Sequence, residues 1–240
     1  TTISDYHSKA INDYGLSAIW PEEVLIESKV IEDKFTDDVH ELEKFPFITI
    51  DGEDAKDFDD AIYCSATNDG FHLKVAIADV SHYVKEGSSI NKEASKRTTS
   101  VYFPQKVVPM LPENLSNELC SLQPNKRRRA LCVEIDFDKD GIINKYQFKR
   151  GIIKSSARLT YAQVEKFYLE KYQGLEGPYV DSLESSFYLC KKLLAQRQMR
   201  GALDFEISEP AISLDKEKKI KSLYHRKRLF SHKLIEELML

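Results

Sequence analysis

Residues 45–78 read FPFITIDGEDAKDFDDAIYCSATNDGFHLKVAIA. The apolar start, Phe45–Ile50, predicts a strand that runs into an acidic loop. Ala61–Ala66 and Phe71–Ala78 are apolar-rich runs on either side of Thr67–Asn68–Asp69–Gly70, which is a hairpin signal. Downstream, Leu131–Phe137 and Ile142–Arg150 alternate apolar and polar around Asp138–Lys139–Asp140–Gly141 and predict a second hairpin. Helical spacing surrounds these strands. His7–Tyr14 is weakly helical, and Trp20–Pro21–Glu22–Glu23 opens a second helix, with Glu suited to the positive end. Ile90–Lys96 predicts a short helix. Thr160 and Gln163 form a capping box that starts a helix to about Tyr172. Leu183, Phe187, Cys190 and Leu194 mark a helix over 181–199, and Phe230–Leu240 is helical. Pro104, Pro109 and Pro112 make 98–129 mostly loop, with a helical turn near Asn114–Cys120. Ala202–Ser208 and Ala211–Leu214 read as short strands followed by a Lys-rich turn. Without strict βαβ alternation the class is α+β: a mixed or antiparallel sheet with packed helices. Residues 1–44 form a lead-in segment, and 45–240 form the main domain.

Composition closes off several classes. Of 240 residues, 42% are apolar and 31% charged, with 9 Gly and 8 Pro, so collagen-like and wholly disordered readings are excluded. No apolar run approaches the roughly 18 residues that a membrane span needs. Cys64, Cys120, Cys132 and Cys190 show no CxxC and no zinc spacing, and read as reduced thiols of a cytoplasmic protein. The chain opens at Thr1 without Met, which is expected of a piece of something longer. Charge is uneven: residues 1–60 carry 5 Lys/Arg against 17 Asp/Glu, and the rest carry 30 against 22. The acidic part invites a cation and the basic part a polyanion.

The acidic loop carries the chemistry. Asp51, Glu53, Asp54, Asp57, Asp59 and Asp60 fall within ten residues. Like charges at that density repel unless a cation is bound, and Mg2+ prefers such oxygen ligands. Two ions about 4 Å apart would serve phosphodiester cleavage. An EF-hand counted from Asp51 would need Gly and Glu where Lys56 and Ile62 stand, so that reading fails. Asp136–Asp138–Asp140–Gly141 mimics the start of an EF-hand loop, but Gln147 holds its twelfth position and both flanks alternate like strands. It reads as a plain Asp-Gly hairpin. Tyr102 and Phe205, each on a loop, are of the type that stacks bases, although core packing competes for any aromatic. Lys126–Arg129 and the basic residues of 216–233 could track a phosphate backbone or simply face solvent. His82, His225 and His232 share no metal-ligand spacing.

FPFITIDGEDAKDFDDA, VAIADVSHYV, TSVYFPQKVVPMLPENLSNELCSL, SSARLTY, RGALDFE and SHKLIEELML occur in that order. Together they resemble the catalytic RNB domain of the RNase II and RNase R exoribonucleases, and the first is closer to RNase R. The resemblance covers roughly 18–240. It implies that Asp51, Asp57, Asp59 and Asp60 are the four catalytic aspartates that hold Mg2+, with Asp59 needed for cutting but not for binding. It implies that Tyr102 stacks on terminal bases, that Phe205 clamps the 3′ nucleotides, and that Glu236 contacts RNA near the 3′ end, with Glu237 one residue away. The implied reaction is processive 3′→5′ hydrolysis of single-stranded RNA to nucleoside 5′-monophosphates. The family's domain continues into an arginine-rich segment beyond residue 240. The family usually adds cold-shock and S1 RNA-binding modules, so this chain is expected to be an incomplete catalytic unit. The competing expectation is a non-catalytic RNA-binding module on the same scaffold, against which the four intact aspartates argue.

Overall fold

A computed structural model describes residues 2–35, 39–203 and 209–240. Along the chain these form helices α1 (Ile3–Asp13) and α2 (Glu22–Lys29), then strands β1 (His40–Glu41), β2 (Ile48–Asp51), β3 (Asp60–Thr67) and β4 (Gly70–Ala78). Helices α3 (Val80–Tyr83) and α4 (Ser89–Arg97), strands β5 (Val101–Phe103) and β6 (Lys106–Val108), and a π-helical turn at Leu115–Leu119 follow. Then come β7 (Arg127–Asp138), β8 (Ile143–Lys154), β9 (Ala157–Thr160), α5 (Tyr161–Leu169), α6 (Val180–Met199), β10 (Glu209–Leu214), β11 (Ile220–Arg226) and α7 (Phe230–Met239). The described residues sort into two compact units, one drawn from 1–33, 81–116 and 206–228, the other from 34–80, 117–205 and 229–240.

The second unit is built on a mixed sheet of seven described strands in the order β1-β8-β7-β4-β3-β2-β9. The two outer pairs, β1 with β8 and β2 with β9, are parallel, and the inner pairs are antiparallel. Both expected hairpins form. Gly70 starts β4 at φ +150, and a Cβ there would meet the Phe137 carbonyl at 2.0 Å, so only glycine fits between β3 and β7. At the second hairpin, Asp138 Oδ1 accepts the N–H groups of Asp140 and Ile142, both at 2.9 Å. That Asp caps its own turn, as the hairpin reading requires.

One face of the sheet is covered by α5, α6 and α7. Ile48, Ile50, Ile62, Leu73 and Val75 meet Val164 and Phe167 of α5, Leu183 and Phe187 of α6, and Leu234 and Leu238 of α7. Burying each such side chain contributes about 1.5–3 kcal/mol. The capping box is present, with the Thr160 hydroxyl accepting the Gln163 N–H at 3.1 Å.

The first unit holds α1, α2, α4 and two hairpins. Arg97 organises it, donating to the carbonyls of Ser17, Ile19 and Pro109 and lying 3.6 Å over the Trp20 ring. The loop expected over 98–129 contains the β5–β6 hairpin. Pro104 occupies a turn corner there, and Gln105 takes φ +61, a position usually given to glycine. The expected Lys-rich turn continues into a strand, β11, paired with β10. Of the strand expected at Ala202–Ser208, Ala202 and Leu203 are not in one, and 204–208 lie outside the described residues.

Candidate active site

Asp51 is the last residue of β2, where that strand runs parallel to β9 and pairs with Thr160, the cap of α5. Asp60 is the first residue of β3 and pairs with Ile77 of β4. The loop between them returns the chain to the neighbouring strand, so a strand end and a strand start bring two carboxylates to one edge. Phe58 is buried in that loop, whereas Asp57 is half-buried and Asp59 is exposed. The Asp59 carbonyl accepts the Ala78 N–H at 2.9 Å, which joins the loop's end to β4.

Electrostatics bind the four aspartates into one group. Burial, then the charge of Asp60, pushes Asp51 up to about 7, with Asp57 adding to the push and Arg158 opposing it. Asp59 presents surface to solvent but is hemmed in by protein. That desolvation and the charges of Asp57 and Asp60 push it up to about 6. Burial also raises Asp60. Asp51 Oδ2 is buried without a hydrogen-bond partner. Among the described residues, no three Asp, Glu, His or Cys side chains converge closely enough to cage an ion. The donor set nevertheless fits a hard divalent cation: hard oxygens, mutually repelling carboxyls and one orphaned buried oxygen.

Helices α5 and α7 close the same region. Tyr161 opens α5, and its phenol is pushed up to about 12 by burial and then by the charges of Asp51, Asp60 and Glu236. It therefore keeps its proton at any physiological pH and is a hydrogen-bond donor beside three carboxylates. The His232 ring of α7 lies against it, with centroids 4.2 Å apart. Ser231 Oγ donates to the Tyr161 carbonyl at 2.9 Å, and the Ser231 N–H goes to Glu165 at 2.9 Å. These contacts lock α7 to α5 and present Glu236, which is exposed, on the Tyr161 side. Glu237 is buried and paired with Arg197. The two adjacent glutamates thus have separate surroundings.

Other expected residues are placed elsewhere. Tyr102 lies on β5 in the first unit, 60% exposed and opposite Val107. Phe205 lies outside the described residues. The basic run Lys126–Arg129 engages the protein itself. Arg127 pairs with Glu41 and Glu43, Lys126 and Arg128 with Glu118, and buried Arg129 donates to the Lys34 carbonyl. Sequence reasoning passed over Tyr161, Arg158 and Ser121. The first two lie within SSARLTY and the third within NELCSL, but neither carboxylate spacing nor hydrophobic period singles them out.

The RNB domain model matches residues 39–240. Ribonuclease R of Mycoplasmopsis pulmonis is 45% identical over 239 residues, covering 97% of this chain and 32% of that relative. Mycoplasma genitalium RNase R, solved with ribose methylated single-stranded RNA, superposes with a TM-score of 0.89 at 34% identity, over 95% of this chain and 36% of that one. The same enzyme solved with double-stranded RNA gives 0.90 at 34% identity, over 95% and 42%. The chain therefore spans about a third of the length of the relatives it matches. Sequence and fold agree, and the chain belongs to the RNB-domain family of the ribonuclease R type.

Proposed function

We propose that this chain carries the cation-holding part of a Mg2+-dependent exoribonuclease that hydrolyses single-stranded RNA processively, 3′→5′, to nucleoside 5′-monophosphates in the cytoplasm. The observation that carries the reading is the placement of Asp51 and Asp60 at adjacent strand ends, with Asp57 and Asp59 in the loop between them and one buried oxygen left unsatisfied. Asp51, Asp57, Asp59 and Asp60 would hold the ion. A divalent cation bound there supplies Lewis acidity toward a phosphodiester and its attacking water. The protonated Tyr161 phenol and the exposed Glu236 carboxylate offer a donor and an acceptor to the sugar at the 3′ end. The exposed Tyr102 ring offers a face that stacks any base, and Phe205 is proposed to clamp the 3′ nucleotides. Residues 45–240 would be the catalytic part and 1–44 its lead-in. Cold-shock and S1 modules would add RNA-binding surface in a protein of the relatives' length. The complexes of M. genitalium RNase R with single- and double-stranded RNA support RNA as the substrate class.

The test is a time course with 5′-labelled single-stranded RNA, in Mg2+ or chelator, with a protein of the relatives' length containing this chain and its Asp59→Asn variant. Stepwise 3′ shortening by the wild type alone, only in Mg2+, with equal RNA retention by both proteins, is the expected result. Shortening by both, or retention by neither, overturns the reading.

A further inference from the structure

The eight residues between Asp51 and Asp60 are held from two sides. On one side is Arg158 of β9. Its Nη2 donates to the carbonyls of Gly52 and Glu53, the second at 2.7 Å, and its guanidinium carbon lies 5.5 Å from the centre of the Phe58 ring. On the other side is Ser121, which is fully buried. Its hydroxyl accepts the Phe58 N–H at 3.1 Å and donates to the Lys56 carbonyl at 2.8 Å. Leu122 gives its N–H to the Phe58 carbonyl at 2.8 Å. Phe58 is thus pinned through its N–H, its carbonyl and its ring. It stands between Asp57 and Asp59, so fixing Phe58 fixes the backbone that carries both carboxylates.

We propose that Arg158 and Ser121 are positioning residues that set how tightly the acidic loop binds a divalent cation, touching neither the cation nor the RNA. The proposal rests on the reading of the aspartates as cation ligands. Six carboxylates in ten residues repel one another, and a loop without anchors spreads them. Partners that orient ligands from behind typically change metal affinity by about 10–100-fold. Ser121→Ala would leave the Phe58 N–H and the Lys56 carbonyl without the hydroxyl they share. Arg158→Lys keeps the charge beside Asp51 but loses the planar guanidinium over Phe58.

The experiment titrates Mn2+ calorimetrically into the metal-free chain, without RNA, for wild type, Asp59→Asn, Ser121→Ala and Arg158→Lys. Melting curves check folding, and filter binding in chelator measures RNA affinity. Ser121→Ala is expected to weaken Mn2+ binding on the order of tenfold and Arg158→Lys less, with RNA affinity within about twofold. A purely structural role would lower the melting temperature and leave the Mn2+ affinity of the folded protein unchanged. If both variants bind Mn2+ like wild type while Asp59→Asn does not, the positioning role falls and the cation site stands. If wild type and Asp59→Asn bind alike, the reading of the aspartates falls. Should Ser121→Ala fail to fold, the half-buried Arg158→Lys decides alone, and unchanged affinity there overturns the proposal.

Discussion

Asp51 is pressed toward its neutral form twice over, since the strand end buries it and its neighbours repel its charge. Its carboxyl titrates near 3.8 unfolded and is pushed up to about 7 in the fold. Between those values the native state keeps a proton that the unfolded chain has lost. Stability therefore falls as pH rises through that window and levels off above it. Asp59, pushed up to about 6, adds to the same slope with less weight because solvent screens it. In chelator, then, the melting temperature should drop from pH 5 to pH 8, and millimolar Mg2+ should restore it. Asp51→Asn should raise the pH 8 melting temperature in chelator by about 2–8 °C, since a kilocalorie is worth about 2–4 °C at this size. It should also abolish the Mg2+ response. A wild-type melting temperature that climbs toward pH 8 in chelator would contradict the assignment. These carboxylates were legible in the sequence because charge density is a one-dimensional property. Tyr161 was not, because its significance depends on which charges surround its phenol, and Asp51 and Glu236 are distant from each other along the chain.

At the scale of elements, α7 shows how a helix assigns roles to neighbours. Leu234, Leu238 and Glu237 face inward, which turns Glu236 to solvent. Glu237→Ala should cost about 1–3 kcal/mol, since it leaves Arg197 without its buried partner and opens a gap beside the core. Glu236→Ala should leave the melting temperature within about 2 °C, an exposed position contributing within about ±0.5 kcal/mol. It should weaken binding of RNA with a free 3′ end, so paired melting and filter-binding measurements separate the two glutamates. Equal destabilisation by both substitutions would contradict the helix's orientation. Helical period made α7 and α6 readable in advance, and Asp-Gly with alternation did the same for β7 and β8. The β5–β6 hairpin was missed for a physical reason. Pro104 breaks regular structure in general but also suits the corner of a tight turn, and Gln105 tolerates a backbone that glycine normally signals. Strand β11 was hidden because Lys219 and Lys221 read as a solvated turn, and an exposed two-stranded ribbon leaves little hydrophobic alternation to detect.

At the scale of the molecule, the net charge of −4 conceals an acidic first quarter and a basic remainder. The basic run at 126–129 pairs with the chain's own carboxylates and carbonyls. A base-stacking contact adds affinity that needs no charge. Tyr102, with an exposed ring on a short hairpin, is suited to this. Base–aromatic stacking contributes about 1–3 kcal/mol per base, or roughly 5–150-fold in affinity. A long RNA spreads its binding over many contacts and loses little when one stack is removed. A remnant of a few nucleotides depends heavily on that one stack and dissociates before the next cut. Tyr102→Ala in a protein of the relatives' length should therefore lengthen the final product by one or more nucleotides while the early rate of shortening on long RNA changes by less than about threefold. High-resolution gels of 5′-labelled RNA read both quantities from one reaction. An unchanged end product with a slower early rate would remove Tyr102 from base stacking and make it a contact for the RNA body.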